Sequence, residues 1–293
     1  MEQLEKNRYW IWLSLIKGLG AIKKKKLLEI YKTPENIYKL DKDELLKIEG
    51  IGELLADKIL NERVRVSVTK HIEYMQKNKI DIININVESY PQQLKKIYDA
   101  PISLYIKGNK EILNSKALAI VGCREASDYG KKAAKYFAYN LAQNKFNIVS
   151  GLAKGVDSYA HLGSLCVENK KSCGKTIAVV GNGLDTIYPS ENKELADKII
   201  ESGGAIISEY PLGTKPDKMN FPARNRIISG ISDGVIVVEA KERSGTLITV
   251  DFALEQGRDV FVVPGNINSI NSVGTNDLIK QGAKLVTTYK DII

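Results

Sequence analysis

Short apolar runs alternate with longer amphipathic segments through the last two thirds of the chain. Runs that are apolar at nearly every position predict strands buried on both faces. Such runs lie at 117–121, 146–149, 175–180, 204–207, 234–239, 259–263 and 284–287. The segments between them predict helices at 128–144, 155–167, 191–202, 221–230, 246–257 and 275–281. This alternation predicts an α/β fold with an extended Rossmann-like parallel sheet and helices on both faces.

The first 78 residues have a different pattern. Trp10, Leu13, Ile16 and Leu19 recur at helical spacing, which predicts a small all-α domain. Residues 79–116 contain two apolar runs, at 80–87 and 102–107, which predict strands leading into the sheet. We therefore expect two domains, a helical one at 1–78 and an extended Rossmann-like one at 79–293.

The helical region contains an internal repeat. Gly18 and Gly20, which flank one apolar residue, are matched 32 positions later by Gly50 and Gly52. Each copy reads as helix, Gly-apolar-Gly, helix, and resembles the helix-hairpin-helix or SAM-like motif. The turn of that motif exposes backbone N–H groups that bind a DNA phosphate without reading sequence. The alternative is a purely structural pair of hairpins that binds protein or nothing.

Composition narrows the classes of function. The chain carries a formal charge of +8, which favours a polyanionic partner but also fits simple solubility. Three cysteines and two histidines give neither a disulfide framework nor a spacing typical of a zinc site. No apolar run reaches the ~18 residues of a membrane span, so we expect a cytoplasmic protein with no membrane partner.

Glycine turns follow the first two strands of the alternating pattern. Gly122 and Arg124 come directly after the run 117–121, just before a predicted helix start. Gly151, Lys154 and Gly155 follow the next strand in the same way. Backbone N–H groups at such turns, together with one cation, form a site for phosphate. The plain alternative at the second turn is a tight bend that binds nothing.

Two further segments place polar groups at the same edge of the sheet. Arg224, Asn225 and Arg226 crowd the first turn of a helix, where the dipole disfavours cations, so they imply an anionic partner. That partner is a ligand phosphate or an internal carboxylate such as Glu209 or Glu239. The internal pair is an equally good interpretation for Arg226 and a weaker one for Arg224. Beside them, Phe221 could stack on a base.

Ser244, Gly245 and Thr246 open another helix after the fifth strand and form a third turn suited to an anion. The first turn lacks the Gly-x-Gly-x-x-Gly pattern of dinucleotide sites, and the P-loop lysine motif is absent from the chain. The sequence therefore predicts a phosphate-binding edge that serves neither NAD nor ATP, and we expect no cofactor and no metal.

Several blocks in order resemble the DNA-processing DprA/Smf family over essentially the full chain. They are 121–124, 150–157, 181–192, 208–211, 221–230, 244–249, 263–265 and 274–283. The resemblance implies sequence-independent binding of single-stranded DNA, with Arg124 in the binding pocket. It also implies delivery of that DNA to the recombinase RecA during natural transformation, a homodimer formed through residues 274–286, and no catalytic reaction.

A rival interpretation is an enzyme. Rossmann-like folds of the lysine-decarboxylase-like group include proteins that bind or cleave nucleotides. Asp157, Glu209 and Glu239 are the carboxylates available for such chemistry. The sequence supplies no partner that would tune one of them into a general acid or base.

Overall fold

A computed structural model describes residues 2–65, 68–168 and 172–293. In that part of the chain, nine strands form a single sheet with the spatial order β1-β2-β6-β5-β4-β3-β7-β8-β9. The strands are β1 Ile80–Asn84, β2 Ser103–Gly108, β3 Ala117–Val121, β4 Asn147–Ser150, β5 Thr176–Val179, β6 Ala205–Ser208, β7 Gly234–Val237, β8 Asp259–Val262 and β9 Lys284–Leu285. The predicted Rossmann-like fold class is confirmed.

The direction in which the chain adds strands reverses between β3 and β7. Strands β3 to β6 run outward on one side and β7 to β9 on the other, all of them parallel. Strands β1 and β2 extend one edge in antiparallel register, with Tyr105 opposite Ser208. Ligands of open α/β sheets bind outside the carboxyl ends of the strands at such a reversal.

Helices cover both faces of the sheet and make up the N-terminal domain. The N-terminal helices are α1 Glu2–Lys6, α2 Arg8–Leu15, α3 Ala21–Tyr31, α4 Pro34–Lys39, α5 Lys42–Leu46, α6 Glu53–Arg65 and α7 Val68–Lys77. Those that follow are α8 Gln92–Lys95, α9 Asp128–Gln143, α10 Val156–Leu165, α11 Lys193–Glu201, α12 Asn220–Gly230, α13 Gly245–Glu255 and α14 Val273–Lys280. Short 3₁₀ turns lie at Lys110–Asn114, Ser190–Asn192, Ile270–Ser272 and Tyr289–Asp291.

Alternate residues of the central strands supply two different cores. On β3, Leu118 and Ile120 pack with the apolar residues of α9 and α10. Ala117, Ala119 and Val121 belong to the opposite core, which includes residues of α12 and α13. Because successive strand side chains point to opposite faces, an entirely apolar strand such as β3 must be covered on both sides.

The helical domain packs directly on the Rossmann-like domain. Its core residues Trp12 and Leu13 belong to the same apolar cluster as the α12 side of the sheet. Between the domains, the Ser14 and Tyr105 hydroxyls lie 2.6 Å apart. Gly18 and Gly50 have the same positive φ of 86°, so the two hairpin turns of the repeat share one backbone conformation. The boundary between residues 78 and 79 stays a prediction.

Some elements are shorter than the sequence pattern predicts. The run 234–239 predicts six strand residues, but β7 ends at Val237, and the Glu239 carbonyl accepts instead from the N–H of Cys123 in the loop after β3. The run 80–87 likewise yields only Ile80–Asn84. Among the described residues, no helix is both long and apolar enough to cross a membrane.

Candidate nucleic-acid interface

A cavity of about 690 Å³ opens at the carboxyl edge of the sheet, beside the reversal between β3 and β7. The loops after β3, β4 and β7 line it together with the first turns of α12. Eight of the twelve predicted site residues line this cavity: Gly122, Arg124, Phe221, Arg224, Asn225, Ser244, Gly245 and Thr246. The other four, Gly151, Lys154, Gly155 and Arg226, lie outside its lining.

Arg124 lies in a loop whose backbone is fixed at the residue directly before it. The N–H of Cys123 donates to the carbonyl of Glu239 at 3.0 Å, and the N–H of Val156 donates to the carbonyl of Cys123 at 3.1 Å. The side chain of Arg124 is exposed, with its Cζ 5.4 Å from the centre of the Phe221 ring. An ordered backbone therefore presents a solvent-accessible guanidinium to the cavity.

An aromatic pair forms one side of the cavity. The rings of Tyr188 and Phe221 are stacked, with centroids 5.5 Å apart and planes 20° from parallel. Tyr188 is 44% exposed. Arg124 lies over the same Phe221 ring, and the most exposed surface of these three groups is that of Tyr188 and Arg124. Such a surface is suited to stacking on nucleobases of any identity.

Cations outnumber carboxylates around the cavity. Its lining includes Arg124, Lys218 and Arg243, which form no ion pair with any carboxylate of the described residues. Lys241 also lines it, but its Nζ lies 2.7 Å from a carboxylate oxygen of Glu125. The positive charge of the first three is therefore available to an external anion.

Lys218 and Arg243 are functional candidates that the sequence pattern does not single out. Each lies in an irregular loop, where no periodicity marks its orientation. Their only local signal is position, since Lys218 precedes Phe221 by three residues and Arg243 directly precedes Ser244. Both loops follow strands whose carboxyl ends meet at this edge.

The turn at Ser244 opens α13 toward the cavity. The Ser244 hydroxyl caps the helix by accepting from the N–H of Thr246 at 3.2 Å. Asn225 donates from Nδ2 to the carbonyl of Gly245 at 3.3 Å, so α12 supports this turn. A Cβ at Gly245 would meet nothing within 4 Å, which leaves open space in front of the helix N-terminus. This turn keeps the geometry that the sequence predicts for an anion.

Arg224 contributes to the cavity lining but is only 5% exposed, and its guanidinium is bonded within the protein. Its Nη1 donates to the carbonyl of Gly151 at 2.7 Å and also to that of Val179. Burial lowers the pKa of Arg224 to about 10, against the attraction of Asp157. Burial also raises the pKa of Asp157, despite the nearby guanidinium. Arg224 is therefore held inside the protein by backbone carbonyls, and not by the Glu209 or Glu239 carboxylate that the sequence leaves open as its internal partner.

Arg226 does not face the cavity, which corrects its placement in the pocket. Its Nη1 and Nη2 lie 2.9 and 2.6 Å from the two carboxylate oxygens of Glu209. Its Nε lies 2.9 Å from Asp99 Oδ2. A buried guanidinium held by two carboxylates is satisfied within the protein and offers nothing to an external phosphate. The internal pair that the sequence left open with Glu209 is thus the one that forms.

The glycines after β4 allow other groups of the protein, rather than a ligand, to approach the backbone closely. A Cβ at Gly151 would lie 2.6 Å from Arg224 Nη2, and one at Gly155 would lie 2.3 Å from the carbonyl oxygens of both Cys123 and Arg124. Asp157 Oδ2 accepts from the N–H of Gly151 at 3.1 Å and from that of Ala153 at 3.3 Å. The predicted phosphate cradle is therefore filled by an internal carboxylate.

Lys154 lies on the rim beyond this turn. Its ammonium forms an ion pair with Glu191, and both side chains are 59% exposed. Such a pair is weak in water and can open, so a role for Lys154 in binding DNA stays a prediction.

The helix that follows β3 also has an internal partner. Glu239, 1% exposed, accepts from the N–H of Ser127 at 2.9 Å and from the Ser127 hydroxyl. Ser127 is the N-cap of α9. At Gly130, a Cβ would lie 2.2 Å from a Glu239 carboxylate oxygen. The anion at this helix start is therefore a side chain of the protein, supplied from just after β7 and more than a hundred residues later in the chain.

Comparisons with known proteins agree with this architecture. The family model of the DNA recombination-mediator protein A matches residues 81–293, and that of the SAM-like helix-hairpin-helix tandem matches residues 13–63. The DNA processing protein DprA of Streptococcus pneumoniae is 47% identical over 215 residues, which are 73% of this chain and 74% of that protein. The protein Smf of Escherichia coli is 45% identical over 229 residues, which are 78% of this chain and 60% of that protein.

Two solved structures are similar. The X-ray structure of DprA from Streptococcus pneumoniae superposes with a TM-score of 0.84 at 40% identity, covering 97% of this chain and 96% of that one. A structure of DprA from Helicobacter pylori, described for its single-stranded DNA binding mode, gives a TM-score of 0.65 at 32% identity. It covers 73% of this chain and 94% of that one.

Sheet, cavity and hairpins together define a Rossmann-like α/β protein with an N-terminal helix-hairpin-helix tandem. Within that class, the chain belongs to the DNA recombination-mediator protein A family, which includes the DprA and Smf proteins. The resemblance seen in the ordered sequence blocks is confirmed.

Proposed function

We propose that this protein binds single-stranded DNA without sequence specificity at the cavity on the carboxyl edge of the sheet. The observation that carries the proposal is that cations with no carboxylate partner among the described residues share one cavity with an aromatic stack. Arg124, Lys218 and Arg243 line the same space as the stacked rings of Tyr188 and Phe221. Cations that bind phosphates and rings that stack on bases are the usual means of holding a single strand.

The proposed binding mode follows from the lining groups. Guanidinium and ammonium groups bind phosphates of any nucleotide, and aromatic faces accept any base. The N-terminus of α13 at Ser244 and Gly245 adds N–H groups and a dipole that favour negative charge. We infer that Gly122 acts indirectly, because a Cβ there would lie 2.6 Å from Val156 Cγ2 and would displace the Arg124 loop.

The similar Helicobacter pylori protein supports this choice of ligand, since its structure is described for a single-stranded DNA binding mode. From the family we further propose that the protein mediates recombination by helping to load RecA onto the bound strand during natural transformation. We also propose that it acts in the cytoplasm as a homodimer formed through residues 274–286. In this proposal, Lys154 and the glycines at 151 and 155 shape the edge of the site.

The enzymatic alternative finds less support in the geometry. Asp157 accepts two backbone hydrogen bonds beside Arg224, and Glu209 is held by Arg226. Glu239 caps α9 through Ser127. Each carboxylate named for that alternative already has an internal structural role. Incubation with nucleoside monophosphates and detection of released base would restore the enzymatic alternative.

The test is fluorescence anisotropy with a labelled mixed-sequence single strand at two salt concentrations, with duplex DNA as competitor. We expect the wild-type protein to prefer the single strand to duplex DNA, and its affinity to fall steeply as the salt concentration rises. Arg124→Ala should weaken binding by roughly ten- to thirtyfold, and Arg124→Lys by less. Lys110→Ala is the matched control, because Lys110 pairs with Asp81 at the far edge of the sheet. An affinity that does not change with salt concentration, or that is the same in Arg124→Ala as in wild type, would overturn the proposal.

A further inference from the structure

The Arg124 loop, residues 122–127, is held by contacts that come from three separate parts of the chain. Cys123 is bonded to Glu239 and Val156 through its backbone N–H and carbonyl, and Ser127 is bonded to the Glu239 carboxylate. Between these anchors lie Arg124, Glu125 and Ala126. Their backbone needs a further contact if the guanidinium is to keep a fixed direction toward the cavity.

Asn271 supplies that contact. It lies in the 3₁₀ turn Ile270–Ser272, between β8 and α14, and is 8% exposed. Its Nδ2 donates to the backbone carbonyl of Glu125 at 2.9 Å and lies 3.5 Å from the Glu239 carboxylate. Its own carbonyl accepts from the N–H of Ala240 at 2.8 Å. No other side chain of the described residues donates to the Glu125 carbonyl.

We propose that Asn271 is a positioning residue for DNA binding, which fixes the Arg124 loop from the segment between β8 and α14. The inference rests on the proposed function of the cavity. Without Asn271, the loop between Cys123 and Ser127 loses its middle anchor, and ordering Arg124 must then be achieved at the moment of binding. A site that is ordered before binding avoids that entropic cost, so the loss should appear as lower affinity.

The first test needs no DNA. In hydrogen–deuterium exchange of the full chain, Asn271→Ala should accelerate exchange of the peptide covering 122–127 by at least about threefold. The control is Asn147→Ala. Asn147 is 3% exposed, and its side chain bonds the Ile112 carbonyl at 2.9 Å and the Lys175 N–H at 2.7 Å, at the opposite edge of the sheet. The Asn147→Ala variant should lower the stability of the protein without changing hydrogen exchange at residues 122–127. Unchanged exchange in Asn271→Ala would overturn the proposal.

The second test asks whether Asn271 acts through Arg124. Binding of a labelled single strand is measured for wild type, Asn271→Ala, Arg124→Ala and the double variant. We expect Asn271→Ala to weaken binding by roughly five- to tenfold in the wild-type background and by less than about twofold when Arg124 is absent. The same loss in both backgrounds would mean that Asn271 merely stabilises the fold, and the proposal would fail.

A second variant separates loss of the hydrogen-bond donor from loss of side-chain volume. Asn271→Asp keeps the size of the side chain but removes the donor to Glu125 and faces the Glu239 carboxylate, so it should weaken binding at least as much. If wild type itself does not bind the strand, the proposed function fails, and the exchange experiment still decides whether Asn271 holds the loop.

Discussion

Turns of two kinds lie side by side at the carboxyl edge of the sheet. The turns after β3 and β4 are closed by the protein's own carboxylates, Glu239 at Ser127 and Asp157 at Gly151. The turn after β7, at Ser244 and Gly245, is open to the cavity. All three follow the pattern of strand, glycine or serine turn, helix.

This sequence pattern therefore indicates a site for an anion but not whether the anion is a ligand or a side chain of the protein. At the closed turns, backbone N–H groups are satisfied by side chains, and the glycines make room for carbonyls or charged groups. At the open turn, the nearby cations Arg124, Lys218 and Arg243 lack carboxylate partners in the described chain. Unpartnered charge, rather than the glycine turn, distinguishes the candidate DNA site.

The largest difference in the free energy of unfolding is expected between substitutions at two glycines, one at each kind of turn. Gly155 has φ of 75°, and a Cβ there would collide with the carbonyls of Cys123 and Arg124. Gly155→Ala should lower the free energy of unfolding by more than about 4 kcal/mol. Gly245→Ala should change it by less than about 1 kcal/mol. Urea unfolding followed by circular dichroism measures both, and equal losses would contradict the distinction.

A smaller difference in the free energy of unfolding is expected between substitutions of two carboxylates in or beside the Arg124 loop. Glu239 is buried and accepts from both the N–H and the hydroxyl of Ser127, so Glu239→Ala leaves those donors unsatisfied. We expect a loss of about 3 kcal/mol in the free energy of unfolding. Glu125 is exposed, and its carboxylate forms a surface ion pair with Lys241, so Glu125→Ala should cause no measurable loss. A loss below about 1 kcal/mol for Glu239→Ala would show that the closed turn is not held by its carboxylate.

The fold could be predicted further than the site. Apolar runs and helix caps act locally, so they place strands such as β3 and the start of α9 at Asp128 within a residue or two. The site depends on partners far apart in sequence. Glu239 reaches Ser127, and Asp99 reaches Arg226, across more than a hundred residues. No periodicity in a single sequence reports such pairs.

Helix geometry explains the misplaced arginine. Residues two apart on an α-helix differ by about 200° around the axis, so Arg224 and Arg226 cannot face the same side. Arg224 points toward Gly151 beneath the cavity, and Arg226 points toward Glu209 and Asp99. The spacing was available in the sequence, but which side faces the cavity depends on how α12 packs on the sheet.

The helix that follows the closed turn after β4 contains a buried histidine, which makes the stability of the protein depend on pH. His161 on α10 is fully buried with Nδ1 2.6 Å from the Thr176 hydroxyl, and burial lowers the pKa of His161 to about 3. Between that value and the unfolded pKa of about 6.5, only the unfolded chain binds the proton, so stability falls as pH falls. From pH 8 to pH 5 this contribution is about 2 kcal/mol.

His161→Gln removes this contribution, so its urea unfolding should lose about 2 kcal/mol less than wild type over that pH range. The raised pKa of Asp157 acts in the opposite direction, but Asp157 is present in both proteins. Parallel pH profiles for wild type and variant would contradict the assignment of a neutral buried imidazole.

The smallest effects are expected for two lysines at the carboxyl edge, one paired and one available to DNA. Lys218 and Lys154 are both exposed lysines at this edge. Lys218 lines the cavity and forms no ion pair within the part of the chain that the structure describes, whereas Lys154 lies outside the lining and pairs with Glu191. Lys218→Ala should weaken single-strand binding by roughly three- to fivefold and reduce the slope of log affinity against log salt by about 0.7. Lys154→Ala should change affinity by less than about twofold, since the loss of one partly neutralised charge has little effect. If Lys154→Ala weakens binding as much as Lys218→Ala, then the ion pair with Glu191 opens for DNA. The turn after β4 would then belong to the interface, as the sequence pattern predicts.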